Sequence, residues 1–400
     1  MRTLQSIALV SLLLLALPGA YAQQDAEKST GYVFTDQIRL KTTPVKNQYR
    51  SGTCWSYGGL SFLESELLNS GKGTYDLSEA FVIRNVYARK ADQYVRWQGN
   101  INFGGGGAFH DVIEVLMHDG MVPEQVYSGL TTDDEHFVHG EMDNNFSAYV
   151  KAVTENKNGR LSPLWKRGFD GLLDAYLGEV PENFTYNGRS YTPKTFAESL
   201  GLSTNDYVEL SSFTHHPFYE EFILEIPDNW LLHPTYNVPL DEMMEIIDRS
   251  LEQGHTVAWG TDISEKGFSW SNGLAVVPDE DKTDLAGTEK EKWEKLTPTE
   301  RKKMLYSFDE PVKEKTITQE MRQKAFDNYS TTDDHAMEIV GSATDQNGNK
   351  YYIVKNSWGT DGHIYNGYFY ASESFVRYKT IDLLVNKKVI PQPIRQKMGI

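Results

Sequence analysis

The chain has 400 residues, 39% hydrophobic and 12% aromatic, enough apolar material for a packed core, which excludes a disordered protein. A formal charge of −17 sets the surface against phosphate backbones, so nucleic acid is not an expected partner. One cysteine excludes an internal disulfide and leaves Cys54 as either a buried inert thiol or a reactive one.

Residues 1–22 read as a signal peptide. Arg2 supplies a positive start, Ile7 to Leu17 is an apolar run too short to span a bilayer, and Ala20-Tyr21-Ala22 is a small-x-small cleavage site. No other segment is apolar enough for a membrane span. The expectation is an exported protein, periplasmic or secreted, without stable membrane insertion.

Thr43 to Gln48 reads as a loop, and Ser51-Gly52-Thr53 as the approach to a helix. From Cys54 to Leu68, apolar residues recur at helical spacing, and Asn69-Ser70-Gly71 ends the run. Cys54 therefore stands at a helix N-terminus, where the macrodipole favours a thiolate. A second helix starts at Leu77-Ser78-Glu79 and runs to about Asp92. Gly104 to Gly107 form a loop, and another helix covers about His110 to Met117. Residues 131–250 are polar with helical pieces. Residues 278–325 are strongly charged, with Glu-Lys interleaving at Glu289 to Lys292 that reads as a solvated helix face.

The last third changes character. His255–Ile263, Ala336–Gly341, Tyr351–Val354, Gly367–Ala371 and Thr380–Val385 read as strands. Asp345 to Asn349 reads as a hairpin turn in which Asn347-Gly348 supplies positive φ. Helices early and antiparallel strands late make an α+β pattern.

Acyl transfer by a thiol needs an imidazole to take its proton, a group to orient that imidazole, and donors for the oxyanion. Gln48 lies six residues before Cys54, and Trp55 follows the cysteine. His335 opens an apolar strand whose hairpin partner runs out into Asn356-Ser357-Trp358-Gly359. Closing the hairpin makes His335 and Asn356 neighbours, and Trp358 can shield their hydrogen bond. Each residue alone is a weak signal; their conjunction in this order is strong. His136, His139 and the pair His215-His216 lack a metal-binding helical pattern and read as surface histidines, so no metal or other cofactor is expected.

These motifs, together with Gly120 to Glu124, Tyr236 to Pro239 and Asp333 to Met337, resemble the papain-like (C1) peptidases, and among them the bleomycin hydrolase and aminopeptidase C branch. The resemblance covers about Thr42 to Pro391. It implies a two-lobed papain-like fold with a large insertion. The lobes would be 23–130, helical with the nucleophile, and 251–400, β-rich with His335 and Asn356. An inserted helical subdomain would fill 131–250, and a charged helical insertion 278–325. It further implies Cys54 as nucleophile, His335 as general acid and base, Asn356 as its orienter and Gln48 as oxyanion donor. Gly105, Gly106, Trp55, Ala336 and Trp358 would contact a peptide substrate. Members of the branch are hexameric, and their C-terminal arm brings its carboxylate into the cleft to receive a free α-amino group. Val385 to Pro391 resembles the start of that arm, and Ile400 would carry the carboxylate. An endopeptidase, a dipeptidyl peptidase and an inactive binding protein on the same fold remain alternatives.

Overall fold

A computed structural model describes residues 31–157, 159–280 and 293–400. The signal-like residues 1–22 and the Glu289 to Lys292 stretch lie outside the described residues. After β1 (Thr35–Arg39), three helices carry the first half of the site: α1 (Cys54–Asn69), α2 (Glu79–Arg96) and α3 (Phe109–His118). They are followed by α4 (Gly140–Thr154), α5 (Leu164–Leu177), the hairpin β2 (Phe184–Tyr186) and β3 (Arg189–Tyr191), and α6 (Pro193–Leu200). Next come β4 (Tyr207–Ser211), β5 (Glu221–Ile223), β6 (Pro234–Asn237), α7 (Leu240–Glu252), β7 (Val257–Thr261), β8 (Phe268–Ser269) and β9 (Leu274–Ala275). The chain ends with α8 (Pro298–Leu305), α9 (Gln319–Asp327), β10 (His335–Thr344), β11 (Lys350–Lys355), β12 (Tyr368–Ser372), α10 (Glu373–Lys379), β13 (Thr380–Asn386) and α11 (Gln392–Met398).

One large sheet runs in the order β5-β6-β4-β13-β7-β10-β11-β12-β9-β8, with β1 on the far half of β10. Most neighbours are antiparallel, but β4 with β6 and β12 with β9 are parallel, so the sheet is mixed. The α+β reading stands. Within residues 131–250 the packing partners change along the chain. Met142, Phe146, Phe169 and Leu173 from α4 and α5 share one buried cluster with Leu60, Phe62, Phe81 and Val86 of α1 and α2. Residues 207–237 instead belong to the sheet, because β4 pairs with β13.

Two local details depart from the sequence reading. At the hairpin, Gly348 takes φ 84° but Asn347 does not turn left-handed. The Asp345 carboxylate organises the turn by accepting N–H bonds from Asn347 and Asn349 at 2.9 and 2.8 Å. And His139 is buried at 3% exposure, not on the surface. Among the described residues no helix is long and apolar enough to cross a membrane.

Candidate active site

The nucleophile candidate enters from α1. Thr53 stands at its N-cap without a side-chain cap bond, because its hydroxyl donates to Ser51 Oγ at 2.8 Å. α1 packs on β10 so closely that a Cβ on Gly58 would lie 3.2 Å from the Ala336 carbonyl carbon. The Ala336 backbone N–H therefore reaches the Cys54 thiol, and Ala336 directly follows His335. Cys54 keeps part of its surface open.

The β10–β11 hairpin does what its pattern predicts. His335 Nε2 lies 2.8 Å from Asn356 Oδ1, and the same Oδ1 accepts the Ser357 backbone N–H at 2.8 Å. An atom that accepts from an amide N–H is the oxygen, so the imidazole must donate from Nε2. That leaves the Nδ1 lone pair free to take a proton. Trp358 stacks on the His335 ring with centroids 4.8 Å apart, and Trp270 meets Trp358 edge-on at 5.2 Å.

Gln48 reaches the same place through a small two-strand contact. Its N–H donates to Ser357 O at 2.8 Å, and Gly359 N–H donates to Lys46 O at 3.0 Å. The side chain is buried and fixed at both ends: Oε1 accepts from Ser357 Oγ at 2.6 Å and Nε2 donates to Ser51 O at 2.9 Å. Tyr49, next in the chain, is left-handed at φ 48°, a conformation held by its N–H bond to Asn47 Oδ1 at 2.9 Å.

Burial dominates the electrostatics. It pushes the Cys54 thiol up to about 12, reinforced by Asp333 and Asp228 and opposed by the Ala336 and Trp55 N–H groups. It pushes the His335 imidazole down to about 4, against the Asn356 bond. Burial and the helix N-terminus thus act on the thiol in opposite senses. Passing the thiol proton to the imidazole creates both charges side by side, where each offsets the other's desolvation.

The glycine loop lies against this centre. Trp55 Nε1 donates to Gly105 O at 2.9 Å. Lys90, buried, donates to Gly104 O at 2.9 Å and also to Gly106 O. Sequence reading missed Lys90 because it sits in an ordinary amphipathic helix. It also missed Lys355, whose Nζ donates to Ser61 Oγ at 2.7 Å beneath Asn356 in a buried network with Glu338 and Glu64. Lys355 directly follows the apolar run Tyr351 to Val354, whereas Lys90, between Arg89 and Asp92, gives no local signal.

Cys54, His335, Asn356, Gln48, Trp55, Gly105, Gly106, Ala336 and Trp358 therefore converge. Ile400 does not. It lines a surface cavity with His110, His233, Tyr207 and Lys387. The tail before it forms α11, with Ile394 and Met398 buried in the core that holds α7, and Lys397 bonded to Glu242 at 2.8 Å. An apolar pair at helical spacing docks the tail, and that docking draws the carboxylate away from the thiol. Two trios, His110–Glu209–His233 and His215–His216–Glu225, bring possible metal-ligand atoms within 4.8 Å of one another. The first escaped the sequence reading because its members come from three elements far apart in the chain.

The profile of the Peptidase C1-like family matches residues 286–399. Aminopeptidase C of Listeria monocytogenes is 22% identical over 403 residues, spanning 90% of this chain and 84% of its own. Aminopeptidase C of Lactococcus lactis subsp. cremoris is 22% identical over 397 residues, spanning 89% and 83%. The crystal structure of PepW from Lactobacillus rhamnosis matches with a TM-score of 0.67 at 18% identity, covering 91% of this chain and 84% of that one.

Proposed function

We propose that this chain, a relative of the papain-like C1 peptidases in their bleomycin hydrolase and aminopeptidase C branch, is a cysteine peptidase that cleaves peptides from a free N-terminus. The observation that carries the reading is the bond from His335 Nε2 to Asn356 Oδ1 beside a thiol that touches the Ala336 N–H. Cys54 Sγ attacks the scissile carbonyl carbon as its proton passes to His335 Nδ1. The carbonyl oxygen gathers negative charge opposite the Gln48 NH₂ and the Cys54 N–H. His335 then protonates the leaving amine nitrogen as the C–N bond breaks, leaving a thioester. Water attacks that thioester, its proton goes to Nδ1, the C–S bond breaks, and the proton returns to sulfur. Asn356 holds the imidazole in the tautomer each step needs, and Trp358 covers their bond.

The test is hydrolysis of a panel of free-amino, dipeptidyl and N-blocked fluorogenic peptides by the wild type and by Cys54→Ala. Turnover by the alanine variant overturns the reading. A second reading, endopeptidase or dipeptidyl peptidase, is favoured by one observation: α11 docks the tail away from the thiol, so no arm fills the cleft from that end. Preference for N-blocked or dipeptidyl members of the panel would select it.

The sequence of residues 1–22 supports export, checked by the mass of the mature N-terminus in the periplasm or medium. The branch resemblance supports a homo-oligomer, checked by light scattering.

A further inference from the structure

Beside the thiol lies a small recess, about 230 Å³ of empty space including its mouth, lined by Trp55, Gly107, Ala336, Gly260, Asp333 and Asp382. Three of these residues are the nucleophile's own neighbours: Trp55 follows Cys54, Ala336 gives the thiol its N–H, and Gly107 packs on the Trp55 ring. The recess therefore opens where substrate must lie.

Its floor is unusual. Asp382 is 5% exposed, and among the described residues no other residue donates a hydrogen bond to its carboxylate. Its Oδ1 stands 1.9 Å from where a Cβ on Gly260 would be, so glycine at that position of β7 is what lets the carboxylate in. Beyond the recess, at the glycine loop, the same arrangement recurs: a Cβ on Gly106 would lie 2.0 Å from Asp228 Oδ2, and Asp228 Oδ1 accepts from Asn102 Nδ2 at 3.4 Å. Asp333 completes the group and is felt electrostatically by the thiol, while Asp228 and Asp382 both act on it.

The nearby cations make their hydrogen bonds to other groups, although Lys90 acts electrostatically on Asp228 and His110 on Asp382. Lys90 is spent on the carbonyls of Gly104 and Gly106, and His110 is bonded to Glu209 at 2.9 Å. Asp111 Oδ2 accepts from Trp230 Nε1 at 2.9 Å and from the Ala108 N–H at 3.0 Å. Burial pushes the Asp382 carboxyl up to about 8, with Glu209 adding to it, and drives Asp333 well above the usual carboxylate range. Buried carboxylates without a partner carry a large desolvation cost that a cation relieves.

We propose that Asp382 and Asp333 form an ammonium-binding subsite of this peptidase, receiving a positively charged nitrogen of the substrate next to the scissile bond. The inference rests on the peptidase reading above. It supplies from inside the fold the carboxylate that the tail, docked on α7, does not bring. The charged nitrogen is either the α-amino group of the residue cleaved or the side chain of a Lys or Arg one residue upstream.

Four fluorogenic amides separate these sources: alanyl, N-acetylalanyl, N-acetyl-lysyl-alanyl and N-acetyl-norleucyl-alanyl. A charge-assisted bond in a dry site is worth about 10- to 100-fold. We expect kcat/KM to favour one charged member over its neutral counterpart by that factor, and the ratio to fall towards one in Asp382→Asn. The pair whose ratio falls, alanyl over N-acetylalanyl or lysyl over norleucyl, names the source. Asp333→Asn, at a more exposed position, carries the same expectation if Asp382→Asn does not fold. Ratios near one in the wild type, or unchanged in the variants, overturn the subsite while leaving the peptidase standing. If no amide is cleaved and Cys54 takes no iodoacetamide, the peptidase reading itself fails.

Discussion

The strip from Lys46 to Gly58 and the last residues from Asn386 to Ile400 both carry family-like motifs, and both were expected at the same cleft. The first arrives there and the second does not. The strip is tied by backbone bonds, Gln48 to Ser357 and Gly359 to Lys46, to the loop that holds Asn356. The tail has no such ladder into the cleft. It has instead two apolar side chains, Ile394 and Met398, that find a core elsewhere. Motif residues reach their place when backbone pairing carries them, and a short terminus goes wherever its apolar residues are buried best.

The comparison breaks most sharply at Cys54. Cys54→Ser should abolish peptide hydrolysis and iodoacetamide labelling with the circular dichroism spectrum unchanged; ordinary turnover would remove the strip from the chemistry. Gln48→Ala comes next. Losing one oxyanion donor costs about 10²–10³ in kcat, so kcat should drop far more than KM rises. A change in KM alone would make Gln48 a binding residue. Asn356→Ala frees the imidazole to swap tautomers and should displace the pH profile of kcat/KM, which a purely structural residue would leave in place.

The tail half of the comparison is sharpened by Ile394→Ala. Emptying that buried site should cost about 2–5 kcal/mol of stability, read as a lower denaturant midpoint. The preference between alanyl and N-acetylalanyl amides should stay as in the wild type. A changed preference would return the tail to the cleft.

The smallest expected effect comes from His139, buried on the Phe137 side of the loop that pairs with Arg50. Burial pushes its imidazole down to about 4, while the unfolded chain titrates near 6.5. Between those values the unfolded state binds more protons, so the histidine's contribution to stability is intact above about pH 6.5 and is lost as pH falls towards 4. His139→Phe should flatten that part of the stability curve relative to wild type, measured as denaturation midpoints from pH 7 to 4.5. An unchanged slope would show that His139 is solvated.

The site was legible to the extent that its signals were local or spanned one hairpin. A tight turn needs only neighbours in sequence, and here Asp345 and Gly348 closed the hairpin that set His335 against Asn356. Lys90, Lys355 and Asp382 were not legible. A lysine in a helix or an aspartate in a strand looks the same whether it faces water or a carbonyl, and only packing distinguishes them. His139 misled for the same reason.

By itself the sequence determined which groups carry the chemistry and which elements hold them: a thiol at a helix start, an imidazole and an amide at the open end of one hairpin, and a glutamine six residues before the thiol. Periodicity and turn chemistry act over a few residues, so they can be read without knowing the rest of the chain. Only the tertiary structure decided that burial opposes the helix at the Cys54 thiol, that two carboxylates line a recess beside it, and that Ile400 lies elsewhere. Each of these depends on burial and on contacts between segments far apart in the chain, and neither quantity is written in any short stretch of residues.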